Sequence, residues 1–175
     1  MLEEKSVSLL WADPDRAKKI ADMHALLFEK AWKLDDMRAL LAHPAAMSLV
    51  AKVRDAKTLD KPVNAGFVLA QLAADEAEII SIGVLEEFQG RGLGRIMMQG
   101  LIRAATIAEA RRLFLEVAED NRSADRLYKS LNFTEVGRRP GYYSRDGGGK
   151  VDAVVMARDL NIEPAVEDAD EEINR

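Results

Sequence analysis

The stretch Gln89-Gly90-Arg91-Gly92-Leu93-Gly94-Arg95, called the glycine loop below, decides the fold. It separates an apolar run, Ile79-Ile80-Ser81-Ile82-Gly83-Val84, which is typical of a buried strand, from a helical pattern that begins near Leu93. A strand followed by a glycine-rich turn and a helix leaves backbone N–H groups free at the positive end of the helix dipole. The glycine loop is therefore predicted to bind an anion, and a phosphate fits best.

Two familiar phosphate motifs are excluded by the residues of this loop. A Walker loop requires Gly-Lys-Ser or Gly-Lys-Thr, and a dinucleotide loop requires a glycine where this chain has Arg95 or Met97. The remaining pattern is Q-x-x-G-x-G, formed by Gln89, Gly92 and Gly94. The two glycines would let the backbone curl around a pyrophosphate without an intervening Cβ, although glycines also form ordinary tight turns.

The acidity of the chain is concentrated at its C-terminal end. The sequence has 175 residues and a net charge of -5, which is enough chain for one domain. Residues 163–175 contain six acidic residues against Arg175 alone, and residues 1–162 are neutral. We therefore expect a single domain over residues 1–162 and an acidic, disordered tail that only aids solubility. The neutral body gives no support to nucleic-acid binding.

Composition also bears on the compartment and on metal binding. There is no cysteine, which excludes disulfides and thiolate chemistry and suits a reducing compartment. The N-terminus is acidic where a secretory signal is basic, and no apolar run approaches the roughly 20 residues of a membrane span. His24 and His43 have no partner at metal-ligand spacing, so structural roles are expected for both. The expectation is a soluble cytoplasmic protein without a metal.

The other apolar patterns predict a mixed α/β domain with one β-α-β unit at its centre. The first helix is predicted to be capped by Asp13, which precedes Pro14, and the second by Asp35 and Asp36. The central helix is predicted to end at Arg111-Arg112, whose positive charges suit the helix dipole there. Three strands before the glycine loop are predicted to form an antiparallel meander, and the strands on either side of the central helix to be parallel. The predicted elements in chain order are a strand over 7–12, a helix to 27, a helix from 35 to before 44, strands over 47–53, 65–72 and 77–84, a helix over 92–110, a strand over 112–117, a helix over 121–131, and strands over 133–137 and 151–158.

Several motifs in a fixed order give the chain a resemblance to a known family. Phe-Gln-Gly-Arg-Gly-Leu-Gly-Arg after an apolar strand is followed by a helix, by Leu115-Glu116-Val117, and by Asn121 and Tyr128 on the next helix. This order resembles the GNAT acetyltransferases, and within them the RimI group, which acetylates protein N-termini and notably that of a small-subunit ribosomal protein. The resemblance covers about residues 6–160. It implies a mixed sheet of about seven strands with flanking helices and a splayed central parallel pair.

The resemblance implies direct transfer of an acetyl group from acetyl-CoA to an amine. An α-amine has a pKa near 8 and is mostly protonated at neutral pH, so a base is required. The resemblance assigns that role to Glu116, acting directly or through a water, and partial burial in an apolar run would suit it to the task. Periodicity alone would equally allow an outward-facing, solvated glutamate. The resemblance makes Tyr128 the general acid to the CoA sulfur, while packing alone would make it a core residue.

The resemblance also implies a set of cofactor contacts. The edge of the strand at residues 82–84 would bind the pantetheine arm, and the glycine loop would hold the pyrophosphate by backbone N–H groups, with Arg91 and Arg95 adding charge. Asn121 would act both as a helix cap and as a pantetheine partner. The predicted cofactor residues are Ile82, Gly83, Val84, Gln89, Gly90, Arg91, Gly92, Leu93, Gly94, Arg95 and Asn121.

In RimI-like proteins the acceptor peptide lies between two loops, which here correspond to Phe28 to Trp32 and to Gly137 to Asp146. Phe28, Trp32, Tyr142 and Tyr143 are the predicted acceptor contacts, although paired tyrosines before a strand are as often packing residues. Family members usually carry prolines in the first loop, and this chain has none there, which leaves the acceptor sequence open.

Two other functions are consistent with the sequence. The first is acetylation of a small amine, such as a polyamine, amino acid or aminoglycoside, because the fold and the cofactor site do not fix the acceptor. An acidic pocket at the acceptor site would support this function. A non-catalytic acetyl-CoA sensor is the other, and the presence of both Glu116 and Tyr128 argues against it. The sequence leaves open the acceptor, the oligomeric state and the role of the tail.

Overall fold

A seven-stranded mixed sheet organises the computed structural model, which describes residues 6–54, 61–145 and 147–160. The sheet order is β1-β2-β3-β4-β5-β7-β6. Among the described strands, β4 and β5 pair in parallel and the other neighbouring pairs are antiparallel. The elements are β1 (Val7–Trp11), α1 (Ala17–Leu27), α2 (Leu34–Ala42), β2 (Leu49–Val53), β3 (Val63–Ala73), β4 (Glu76–Val84), α3 (Leu93–Ile107), β5 (Arg112–Ala118), α4 (Arg122–Ser130), β6 (Thr134–Ser144) and β7 (Lys150–Asp159).

The parallel pair at the centre of the sheet is hydrogen-bonded over only part of its length. Strands β4 and β5 pair from Glu76 opposite Arg112 to Ile79 opposite Leu115, and beyond that point they diverge. Opposite β3, Leu69 faces Ser81 and Ala70 faces Ile79, so Ile80 is an extra residue in β4. A bulge of this kind bends its strand and increases the local twist. The bend opens the sheet at the carboxyl ends of β4 and β5.

Apolar side chains pack on both faces of the sheet. Helices α3 and α4 cover one face, where Leu101 and Met98 pack with Leu113 and Leu115. Helices α1 and α2 cover the other face over β2 and β3, where Ile20 and Met37 pack with Phe67 and Leu69. Strand β5 alternates, with Leu113, Leu115 and Val117 buried under α3 and α4 and the intervening side chains directed to the opposite face. Glu116 therefore lies on the face opposite α3 and α4.

The order of elements, the meander and the parallel β4–β5 pair confirm the sequence prediction, but several local predictions are wrong. Asp13 is the N-cap residue of the helical turn Pro14–Arg16 that leads into α1, as predicted, but its side chain makes no capping hydrogen bond and its carboxylate lies 3.6 Å from the Arg16 guanidinium. Asp35 and Asp36 lie inside the first turn of α2, which begins at Leu34 after Lys33. Arg111 and Arg112 lie beyond the end of α3 at Ile107, and Arg112 begins β5.

Strand β6 is about twice as long as predicted. The stretch of residues 137–146, predicted as a loop, is strand as far as Ser144, so Tyr142 and Tyr143 lie in β6. Residue 146 lies outside the described residues. The β6–β7 register is irregular at two places, between Glu135 and Gly137 and between Arg139 and Tyr143, and the second accommodates Pro140, which has no N–H, and Gly141, whose φ is +60°. The Gly141 N–H donates to Asp152 Oδ1 at 2.9 Å, which holds the second irregularity in place.

The predicted acidic tail lies outside the described residues, as does most of the polar loop before β3. Within the described part of the chain, no helix combines the length and apolarity that crossing a membrane requires.

Candidate active site

The glycine loop enters α3 through two left-handed glycines. Gly90 has φ +70° and Gly92 has φ +87°, a region that costs other residues about 1 kcal/mol or more. Gly92 is the N-cap of α3 and has no side chain with which to cap it, and the helical hydrogen bonds begin with Ile96 N–H to the Gly92 carbonyl at 3.2 Å. The N–H groups of the first turn, from Leu93 to Arg95, therefore remain available to a ligand. These are the donors expected of a phosphate site.

Two exposed side chains of the glycine loop make hydrogen bonds that fix its position. The Gln89 amide donates to the Val84 carbonyl at 2.9 Å and ties the loop to the end of β4. The Arg95 guanidinium donates to Ser130 Oγ at 2.7 Å and ties α3 to α4. A Cβ at Gly94 would lie 3.3 Å from Leu127, so this glycine allows α3 to approach α4. Close helix packing is thus a second reason for a glycine here, beside the predicted room for a pyrophosphate, and Gly94 also lines the cleft described next.

A cleft of about 740 Å³ begins where β4 and β5 diverge. It is lined by the open end of β4, the glycine loop, the end of β5 and the start of α4. Both predicted catalytic residues and ten of the eleven predicted cofactor residues line it, and Arg91 does not. Arg91 instead lies with its guanidinium 5.7 Å from the centre of the Phe88 ring. The divergence of the strands therefore brings together residues that are far apart in the sequence.

Glu116 lies on this cleft at the carboxyl end of β5. Its side chain is 21% exposed, and its Oε1 lies 3.0 Å from Nε of Arg139 in β6. Arg139 was not among the site residues predicted from the sequence. A carboxylate has about four lone-pair sites, so a contact at one oxygen leaves room for a second partner.

Tyr128 lies in α4 with its ring buried and 5.9 Å from that of Phe133, and it also lines the cleft. Burial, with a smaller contribution from Tyr143, raises the pKa of Tyr128 to about 12. The phenol therefore keeps its proton throughout the neutral pH range. The two predicted roles of this residue, packing and proton donation, are compatible with the same position.

Asn121 ends the β5–α4 connection and caps α4. Its Oδ1 accepts a hydrogen bond from the Ala124 N–H at 3.2 Å, which confirms the predicted helix cap. Asn121 also lines the cleft, so its amide NH₂ is close to the space that a ligand would occupy.

The predicted acceptor residues divide into two pairs. Phe28 and Tyr143 line the cleft, whereas Trp32 and Tyr142 do not. Trp32 packs with its ring 5.6 Å from that of His24, which is buried among aromatic rings in the structural role that was predicted for it. Burial lowers the pKa of His24. Tyr142 is 55% exposed, and its ring meets that of Tyr143 edge-on at 5.1 Å.

Three ion pairs near the cleft were not predicted from the sequence. Arg139 contacts Glu116, Arg138 contacts Glu119 at 3.2 Å, and Arg145 donates to Asp120 at 2.8 Å. Each joins the end of β5 to the β6–β7 hairpin. The pair Arg138-Arg139 just before Tyr142-Tyr143 was the signal that could have found them, because consecutive strand residues point to opposite faces and one arginine must face the cleft side. Among the described residues, no group of three acidic, histidine or cysteine side chains is arranged to hold a metal ion.

A sheet split at its central parallel pair, with a glycine-capped helix and a cleft at the split, is the arrangement that the resemblance to acetyltransferases implies. Residues 17–133 match the model of the acetyltransferase (GNAT) family, and the chain belongs to that family. The resemblance seen in the sequence is thereby confirmed.

Curated relatives and solved structures agree with this assignment. The chain is 40% identical over 92 residues to a [ribosomal protein bS18]-alanine N-acetyltransferase of Haemophilus influenzae, and 38% identical over 98 residues to one of Salmonella typhimurium. These matches span 53% and 56% of this chain, and 62% and 66% of the relatives, which is less than two thirds of their length.

Among solved structures, the Escherichia coli ribosomal-protein-S18-alanine N-acetyltransferase superposes with a TM-score of 0.79 at 23% identity, over 91% of this chain and 97% of that one. Arabidopsis thaliana NAA60 in complex with acetyl-CoA superposes with a TM-score of 0.73 at 19% identity, over 89% of this chain and 99% of that one. At these identities the superpositions establish the shared fold.

Proposed function

We propose that the protein is an acetyl-CoA-dependent N-acetyltransferase that transfers acetyl directly to the N-terminal α-amine of a protein. The observation that carries the proposal is the cleft at the split of β4 and β5, which has the glycine loop at one end and Glu116 and Tyr128 along its walls. The names of the relatives suggest an N-terminal alanine and a ribosomal protein as the acceptor. We further propose that the protein acts in the cytoplasm and that residues 1–162 form its single domain.

The described residues fit acetyl-CoA. The first-turn N–H groups of α3 suit a pyrophosphate, and a Cβ added at Gly90 or Gly92 would meet nothing within 4 Å, so the space in front of the loop is open. Residues 82–84 of β4 lie beyond the last pairing with β5, which leaves backbone groups on that side for an amide-bearing arm. Acetyl-CoA supplies the activated acetyl group as a thioester.

In this proposal, Glu116 acts as the general base. The acceptor arrives mainly as an ammonium, and Glu116 accepts one of its protons, directly or through a water, to free the nitrogen lone pair. The nitrogen then forms a bond to the acetyl carbon while the carbon–sulfur bond breaks. A second proton leaves the nitrogen, and the departing sulfur must gain one.

Tyr128 assists the departing sulfur by donating a hydrogen bond. Burial raises the pKa of Tyr128 to about 12, so the phenol is protonated when the sulfur departs. The phenol supports the charge on the sulfur and acts as the general acid by giving it a proton, and the second proton released by the nitrogen restores the phenol.

Charge pairing near the cleft favours a peptide acceptor over a polyamine. An open acidic pocket would suit a small cation, but Glu116, Glu119 and Asp120 are each paired with an arginine. Phe28 and Tyr143 line the cleft beside them.

The test is to follow CoA release with acetyl-CoA and a panel of acceptors. The panel contains a peptide with an N-terminal alanine, the same peptide already acetylated at its α-amine, and small amines including a polyamine. We expect release with the free peptide only, and a loss of about 10²-fold or more in kcat for Glu116→Gln. Release only with small amines would sink the peptide proposal, and release with none would favour a sensor.

A further inference from the structure

Arg139 is a charged residue at the proposed active site for which the mechanism above has no use. Its Nε lies 3.0 Å from Glu116 Oε1, and its guanidinium lies 5.6 Å from the centre of the Tyr142 ring. Its side chain is 58% exposed while that of Glu116 is 21% exposed. The cation thus approaches the carboxylate from the solvent side.

The strand register explains how Arg139 reaches Glu116. Arg139 pairs with Ala153 of β7, and Glu116 pairs with Val155 of the same strand, so both point to the face opposite α3 and α4. The two residues are two strands apart, about 9 to 10 Å at the usual strand spacing. A long side chain is needed to cross β7, and the small side chain of Ala153 leaves space beneath it.

The surroundings restrict where the guanidinium can lie. Tyr142 offers its ring face on one side, and a cation over an aromatic face is attracted to it. Glu116 lies on the other side. Tyr143 lines the same cleft as Glu116, and burial, followed by the charge of Glu116, raises the pKa of Tyr143. Arg139 therefore holds one oxygen of Glu116 at a defined place beside the cleft.

We propose that Arg139 is a positioning residue for Glu116. This inference rests on the proposed role of Glu116 as the base. Arg139 binds Oε1 of Glu116 and so directs the remaining carboxylate lone pairs toward the acceptor amine. A misplacement of about 1 Å in a reacting group can lower a rate about 10²-fold, so even a modest loss of position is measurable. Arg139 touches neither the acetyl group nor the amine in this proposal.

Arg138 provides a matched control on the neighbouring residue. Its ion pairs are with Glu119 at 3.2 Å and with Glu135 at 2.6 Å, whereas Glu116 pairs with Arg139. Loss of Arg138 therefore removes ion pairs of the same hairpin without disturbing the base. A purely structural effect of hairpin ion pairs would appear in Arg138→Gln as well as in Arg139→Gln.

The experiment measures kcat and KM for wild type, Arg139→Gln, Arg139→Lys and Arg138→Gln with the acceptor that wild type uses. We expect kcat to fall by about 10-fold to 100-fold in Arg139→Gln, with KM for acetyl-CoA unchanged. Arg139→Lys keeps the charge and should recover part of the loss. Arg138→Gln should stay within about twofold of wild type.

A double variant separates this inference from the proposed function. If Arg139 acts through Glu116, then Arg139→Gln should cause no further loss in a Glu116→Gln background, because the effects of residues acting as one unit are not additive. An equal loss in both backgrounds would overturn the inference, as would full activity of Arg139→Gln. In either case a large loss in Glu116→Gln alone would leave the proposed function standing.

Discussion

At the scale of single residues, Tyr128 has a proton affinity that folding changes strongly. Burial, with help from Tyr143, raises its pKa from 10.0 to about 12. Because the folded state binds the proton more tightly, the stabilisation is complete below pH 10 and is lost as the pH rises from 10 to 12. Two pKa units correspond to about 3 kcal/mol. The alkaline loss should be smaller in Tyr128→Phe, which has no phenol proton at position 128, whereas Tyr143, whose pKa burial also raises, contributes to the loss in both proteins.

The measurement is the free energy of unfolding of wild type and Tyr128→Phe between pH 8 and pH 11.5. As the pH rises above 10, we expect the free energy of unfolding to fall more in wild type than in Tyr128→Phe. Tyr142→Phe serves as the control, because Tyr142 is exposed and its replacement should leave the alkaline loss in place. Parallel curves for wild type and Tyr128→Phe would contradict the raised pKa.

Asn121 allows capping and cofactor contact to be separated by two substitutions. Serine at position 121 keeps an oxygen for the Ala124 N–H but removes the amide, whereas alanine removes both. We expect Asn121→Ala to lose about 1 kcal/mol of stability and Asn121→Ser to lose little. KM for acetyl-CoA should rise in both variants if the amide binds the pantetheine. An unchanged KM in Asn121→Ser would limit Asn121 to capping.

At the scale of elements, the glycine loop depends on backbone geometry. Gly92 has φ +87° and its Cβ position faces open space, so Gly92→Ala should cost about 1 kcal/mol through backbone strain rather than collision. Relief of that strain would move the first-turn N–H groups of α3. We expect KM for acetyl-CoA to rise about tenfold, which corresponds to about 1.4 kcal/mol of lost binding.

Gly147 gives a matched control for this substitution. It has φ +88° and also faces open space, but it lies in the β6–β7 turn and not at the glycine loop. Gly147→Ala should therefore lose similar stability while keeping KM for acetyl-CoA. A similar rise of KM in both variants would mean that strain alone, and not displaced N–H groups, accounts for the effect.

Elements with a strong local pattern could be predicted from the sequence, and the full length of β6 could not. Strand β5 is a short apolar run interrupted only by Glu116, and α3 repeats apolar residues at helical spacing, so both were found. Pro140 and Gly141 favour a turn on local grounds. Pairing with β7 and the Asp152 hydrogen bond outweigh that preference, and neither is visible in the local sequence.

The difference between local patterns and long-range pairing also explains which parts of the site could be predicted from the sequence. The glycine loop and Asn121 act within a few residues of their own positions, so spacing reveals them. Arg139 and Glu116 lie on strands that become neighbours of β7 only through the sheet order. The extent of β6, which places Arg139 beside Glu116, was itself missed. A wrong element boundary therefore concealed a contact of the site.

At the scale of the whole molecule, unequal coverage of the sheet exposes the site. Helices α3 and α4 pack across one face, while α1 and α2 pack on the other face over β2 and β3. The side chains of Glu116 and Arg139 lie on that second face, over β5 and β6. The cleft and the open face therefore meet at the carboxyl end of β5, where the proposed function requires an acceptor chain to approach Glu116.

The described fold ends on anchored residues: the Leu160 N–H donates to the Arg111 carbonyl at 2.7 Å, the Leu160 side chain is buried, and Asp159 pairs with Arg112 at 2.9 Å. Residues 163–175 account for the entire net charge of -5. If residues 1–162 form the domain, a chain ending at residue 162 should keep the Tm and kcat of the full chain.

The control is a full-length variant in which the six acidic residues of the tail are replaced by their amides. It separates the effect of charge from that of chain length. A fall in Tm of more than about 3 °C on truncation would correspond to about 1 kcal/mol in a domain of this size and would place part of the tail in the fold. A loss of kcat/KM in both variants, limited to low salt and to a basic acceptor peptide, would instead mean that the tail attracts the acceptor by its charge.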